Sequence, residues 1–234
     1  MSFILISIVG ITVISILLWL LASNYTTQRA LRWWHSRQLA RMRQEGEAIR
    51  NGVLQNTFVM RRHLESPLPS SPESQQKLDT HYLENIEKFH YSVRELSDYL
   101  YPAYIDESLP LAIRYMLDSW KNRFPNLNIE CELPTEWRDE SGDRSQVILM
   151  ALEELLTCYV SNISNDFSLF VSLTLQENLS ELMIKFTGLD VSKFTSPTAS
   201  TDDLLHLCRA LKFWLSGKCS RYRQNQAEIW YLRW

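Results

Sequence analysis

Apolar and polar positions alternate along this chain in several distinct rhythms. Phe3 to Ala22 is a near-continuous apolar run without a charged residue, and about 20 residues of helix span a hydrocarbon core of about 30 Å. From Thr27 to Leu64 there is no proline, and Met42, Ile49, Val53, Met60 and Leu64 recur at alternating spacings of seven and four, one stripe of a helix. The proline-rich stretch Ser66 to Pro72 breaks that helix. A second helix is predicted from Glu73 to Tyr101, striped by Leu78, Tyr82, Ile86, Phe89, Val93, Leu96 and Leu100 and ended by Pro102.

Beyond Pro102 the rhythm changes. A helix capped by Ser108 runs to Arg123, and Asn128 to Leu133 alternates as a strand. After a polar loop comes a helix over Gln146 to Ile163. Two strands, Phe167 to Leu175 and Ser180 to Thr187, flank a polar turn. A Ser/Thr-rich loop leads to a helix over Asp202 to Leu215, ended near Gly217, and a strand pair closes the chain at Trp234. The expected fold is α+β: a transmembrane helix over 1–26, a juxtamembrane helix and helical hairpin over 27–102, and an α/β sandwich over 103–234. Two such hairpins pair into a four-helix bundle. The expected homodimer seam is Ile49, Val53, Met60, Ile86, Phe89, Val93 and Leu96.

Composition sharpens part of this picture. The formal net charge is −3, which gives no sign of nucleic-acid binding. No Lys or Arg precedes the apolar run, whereas Arg29, Arg32, Arg37, Arg41 and Arg43 follow it. The run therefore reads as a retained anchor with the N-terminus outside and the bulk cytoplasmic. The chain begins at that anchor, so no outer sensory domain is expected. Arg29, Arg32, Trp33 and Trp34 suit either a membrane surface or the packed and solvated faces of an ordinary helix. The cysteines 131, 158, 208 and 219 form no C-x-x-C pair. They read as buried free thiols, with neither metal nor disulfide roles expected.

The order of elements, with several short motifs, resembles bacterial sensor histidine kinases with a dimerisation hairpin and an ATP-binding domain of the GHKL type. The nearest subfamily carries Glu-Leu-His-Asp-Gly and, three residues on, Gln in its first hairpin helix. Gly52, Val53 and Gln55 match this pattern. Leu100, Pro102 and Ile105-Asp106 resemble the junction to the catalytic domain, and Leu111 to Arg123 with Trp120 and Phe124-Pro125 resembles its next helix. The resemblance covers roughly Glu45 to the C-terminus.

The departures fall where the resemblance implies chemistry. Arg50 stands at the phosphoacceptor His and Asn51 at the acid beside it. An arginine cannot be deprotonated to act as that nucleophile. None of His35, His63, His81, His90 and His206 is followed by an acid. In the helix implied to position the catalytic water and magnesium, Glu154 and Thr157 match but Cys158 replaces the Asn, and a thiol is a poor ligand for a hard cation. Glu154 alone reads as a solvated helix residue. Where an Asp would read adenine, the strand ends Phe186-Thr187-Gly188-Leu189-Asp190, without it. Val191 to Asp203, at the phosphate lid, contains no glycine, and the last glycine-rich turn appears as Gln224-Asn225-Gln226-Ala227.

The expectation is a pseudokinase, without cofactor or metal, acting as a regulatory or scaffold subunit. The partners expected are a second copy, the membrane, and a response regulator, an intact histidine kinase or a larger membrane complex. The docking surface is either the hairpin around Arg50, Asn51, Gln55 and Thr57 or a repacked nucleotide face. The alternatives are a divergent but active sensor kinase and a structural accessory subunit of a membrane complex.

Overall fold

The computed structural model describes residues 2–65, 72–160, 167–176, 179–188, 201–224 and 227–234. The expected proline linker up to Ser71, the helix end at Ile163, the glycine-free lid position up to residue 200 and the turn residues Asn225 and Gln226 lie outside them. The chain divides into two compact units: residues 1–36 with 104–234, and residues 37–103.

Helix α1 runs Ser2–Glu65. It is long and apolar enough to cross a membrane by length and composition. Its apolar side chains between Ile8 and Leu21 stand exposed, Trp19 at 68%. Helix α2, Pro72–Leu100, forms the second half of the hairpin. Within the hairpin unit a Cβ added at Gly52 would meet the Ser92 hydroxyl at 3.6 Å, which marks where the two helices touch. Asn85 is buried there, and its Nδ2 has no hydrogen-bond partner.

The body continues with α3 (Leu109–Arg123), β1 (Asn128–Glu132), α4 (Gly142–Val160), β2 (Ser168–Gln176), β3 (Leu179–Thr187), α5 (Thr201–Trp214), β4 (Lys218–Gln224) and β5 (Ala227–Arg233). The five strands form one mixed sheet in the order β1-β2-β3-β5-β4. β1 pairs parallel with β2, and the other neighbours are antiparallel. Strands β3 and β5 bury every second residue: Ser180, Leu182, Ile184 and Phe186 on one, Glu228, Trp230 and Leu232 on the other. That face meets Leu117 of α3, Leu149, Leu152 and Leu156 of α4, and Leu207 and Leu211 of α5 in one core. Each such side chain taken fully out of water contributes about 1.5–3 kcal/mol.

Several sequence expectations need correction. α4 begins at Gly142, four residues before Gln146, because its first turn is polar: Asp143 lies in it and Ser145 N–H already bonds the Ser141 carbonyl at 3.0 Å. Ser108 occupies the N-cap of α3, but its side chain makes no capping bond. Cys131 is exposed rather than buried, on a strand with no fully buried residue. Glu154 is 4% exposed rather than solvated.

Candidate functional site

The three body segments aligned with nucleotide chemistry converge. α4 carries Glu154 and Cys158, both buried, with Thr157 exposed one residue before Cys158. At the end of β3, Gly188 takes φ 79, a left-handed conformation open to glycine at little cost. Thr187 pairs with Ala227 in the ladder, and Ala227 pairs with Gln224. The Thr187 hydroxyl is also hydrogen-bonded to that of Ser168. The end of β3 and the facing ends of β4 and β5 are therefore direct neighbours.

Residues immediately beside these segments fill the place where they meet. Tyr159 follows Cys158 and stacks on Phe186, ring centroids 4.0 Å apart. Its hydroxyl donates to Glu228 Oε1 at 2.6 Å and accepts from Trp230 Nε1 at 3.1 Å. Phe186 and Glu228 are cross-strand partners. Arg221 of β4 donates through Nε to the same carboxylate oxygen and lies over the Trp230 ring. Glu228 is wholly buried, and its Oε2 has no hydrogen-bond partner.

The electrostatics are those of a sealed ion pair. Burial, then the negative charge of Glu228, pushes the Tyr159 phenol well above its ordinary range. Burial works against the charge on Arg221, but the hydrogen bond and charge of Glu228 outweigh it and raise the guanidinium further. The arrangement holds a neutral phenol and a paired carboxylate, and it offers no activated nucleophile. Cys158, which the sequence resemblance sets at a magnesium-binding Asn, is buried, and a thiol is a poor ligand for a hard cation. Among the described residues no group of three or more His, Cys, Asp and Glu side chains is placed to hold a metal ion.

Sequence reasoning passed over Tyr159, Arg221 and Glu228. One signal was present: Glu228 alternates in step with Trp230 and Leu232, which places a carboxylate on the apolar face of its strand.

The hairpin site is open by comparison. Arg50, Asn51, Gln55 and Thr57 are exposed. Of the residues assigned to a dimer seam, Ile49, Val53, Met60, Phe89 and Leu96 are half-buried within the hairpin unit, whereas Ile86 and Val93 are exposed. Leu54, Phe58 and Leu83 are exposed too, at 60% or more, and belong to no predicted stripe.

In the body unit, Trp34 is 7% exposed within the core. Trp33 donates through Nε1 to Asp203 Oδ1 at 2.7 Å, and its ring lies 5.9 Å from that of His206 on α5. Trp33 and Trp34 are thus packed within the body unit, and Arg29 and Arg32 are exposed. A separate cavity of about 180 Å³ opens between the starts of α3 and α4, lined by Asp106, Ser108, Trp137, Arg138 and Glu140 among others. Glu140 there accepts from Trp234, Arg144 and Arg138.

No family model and no curated protein matches the chain. Solved structures do. The chain is similar to the histidine kinase AdeS of Acinetobacter baumannii at 15% identity and TM-score 0.41, covering 76% of this chain and 93% of that one. It is similar to the histidine kinase domain of the blue-light activated kinase EL346 of Erythrobacter litoralis at 8% identity and TM-score 0.44, covering 77% and 94%. It is also similar to the histidine kinase ThkA, solved in complex with the response regulator TrrA, at 16% identity and TM-score 0.42, covering 90% and 65%. The likeness is to histidine kinases, and it is a likeness of fold.

Proposed function

We propose that this chain is a membrane-anchored, dimeric, histidine-kinase-like protein of two-component type that works by binding and lacks autokinase activity. The observation that carries this reading is the buried Tyr159–Glu228–Arg221–Trp230 network, which lies directly after Cys158 on α4 and packs on Phe186 near the end of β3, the two segments that the sequence resemblance aligns with a nucleotide site. It fits with the exposed Arg50 and Asn51 standing at the acceptor positions. An activated nucleophile needs a base within hydrogen-bond reach, and an arginine followed by an amide supplies neither. The exposed apolar segment of α1 supports an anchor over Phe3 to Ala22, and the arginines that follow support a cytoplasmic body.

Such a protein acts as a regulatory or scaffold subunit. Its partners are a response regulator or an intact histidine kinase, docked at the hairpin surface around Arg50, Gln55 and Thr57. The test uses the full chain in lipid nanodiscs with magnesium and labelled ATP. Neither thermal stabilisation nor phosphohistidine is expected. Nucleotide-dependent stabilisation or label on any histidine overturns the reading. Affinity purification from membranes then separates a signalling role, which recovers a response regulator or kinase, from a structural one, which recovers a large assembly without either.

A further inference from the structure

Helix α5 and the strand after it bring two cysteines together. Cys208 lies on α5 and Cys219 on β4, joined through the turn Leu215-Ser216-Gly217. The Cys208 thiol donates to the Cys219 carbonyl at 3.2 Å. The backbone holds this approach independently of the sulfurs. Cys219 pairs with Leu232 in the ladder, Ser216 takes φ 51, and a Cβ at Gly217 would fall 1.9 Å from the Arg233 carbonyl oxygen. Both cysteines are free thiols.

The two sulfurs differ in surroundings. Cys219 is 6% exposed, while Cys208 is reached by solvent. Hydrogen bonding with Cys219, against the effect of burial, and the charges of Lys212, Arg209 and Arg221 hold the Cys208 thiol below its ordinary range. Hydrogen bonding with Cys208 and burial push the Cys219 thiol up. The thiolate is the nucleophilic form, and a thiol reached by solvent beside a second, buried thiol is the arrangement of a redox-responsive pair.

We propose that Cys208 and Cys219 form a peroxide-responsive dithiol in which Cys208 attacks and Cys219 resolves. The oxidant is a hydroperoxide from solution. The Cys208 sulfur attacks the terminal peroxide oxygen, the O–O bond breaks, and the leaving alkoxide or hydroxide takes up a proton. The Cys219 sulfur then attacks the resulting sulfenic acid. An S–S bond forms, the S–O bond breaks, and hydroxide leaves as water with the proton from the Cys219 thiol. Two thiols are oxidised by two electrons and one peroxide is reduced. The bond ties α5 to β4, and α5 is the helix that receives Trp33 through Asp203 and His206. This proposal stands apart from the question of kinase activity.

The test treats the reduced full chain in detergent micelles with equimolar hydrogen peroxide, then alkylates, digests without reductant and maps masses. A peptide linking residues 208 and 219, reversed by dithiothreitol, is expected, with Cys208 consumed several-fold faster than the exposed Cys131. Cys219→Ser is expected to leave a sulfenic acid on Cys208 that dimedone captures, and Cys208→Ser to leave Cys219 as thiol. The proposal is overturned if wild-type Cys208 reacts no faster than Cys131, or becomes oxidised without a link to Cys219. Both of those readouts come from the unaltered chain and do not depend on a variant folding.

Discussion

Glu228 lies buried inside an apolar layer, where Arg221 and Tyr159 hydrogen-bond its side chain. Removing one partner of a buried pair strands the other, which costs about 3–5 kcal/mol, whereas losing a single hydrogen bond to a buried group costs about 1–3 kcal/mol. Arg221→Ala is therefore expected to destabilise the chain more than Tyr159→Phe, and denaturant melts of the two variants in micelles check the order. Equal losses would mean that Arg221, which is 26% exposed, contributes little to holding the carboxylate. Glu140 sets a second expectation, through pH. Burial would raise its carboxyl, but hydrogen bonds from Trp234 and Arg144 and the charge of Arg138 outweigh that and hold it below its ordinary 4.5. A carboxyl lowered by folding stabilises above the unfolded value and loses that contribution as pH falls through the folded one. Melting temperatures taken from pH 6 downward should fall less steeply in Glu140→Gln than in the parent chain.

The hairpin is the element whose pattern says most and least at once. Gly52 matches a family signature, yet its backbone is ordinary helix and the space beside it admits a methyl group at van der Waals distance from Ser92. Gly52→Ala is expected to stabilise the chain by about 0.5–1 kcal/mol, and a lowered melting temperature would show that the helices cannot accept the added carbon. The apolar stripe in the sequence located both helices, but a stripe does not say which neighbour covers it. Val53 and Phe89 are already half-buried inside one hairpin, while Leu54, Phe58 and Leu83 remain in the open. A pairing surface built on the exposed set predicts that Leu54→Glu with Phe58→Glu halves the protein mass found by light scattering in micelles. The strands were legible to within a residue or two because period-two burial marks both β3 and β5. The start of α4 was not, because a polar first turn carries no periodic signal. Cys208 and Cys219 read as separate buried thiols without a disulfide role for a related reason: their spacing of eleven fits no short motif, and only the turn at Gly217 folds them together.

At the scale of the whole molecule, the body is discontinuous in sequence. Its compact unit includes residues 1–36 as well as 104–234, and the hairpin is inserted between the two parts. The contact between Trp33 and Asp203 spans 170 positions, and no local pattern announces it. Trp34→Ala in the full chain is expected to cost about 3–5 kcal/mol, as for any large core side chain, and calorimetry of the full chain checks it. A loss within error of zero would mean that the helix merely rests on the body. The packing of Trp34 also bears on how this protein can be cut. A fragment begun at residue 103, where the sequence places the domain border, leaves behind a piece of its own core and presents an uncovered apolar surface to solvent. It should aggregate alone and be rescued by a short peptide spanning residues 23–36, so that the helix next to the membrane serves as a missing part supplied in trans.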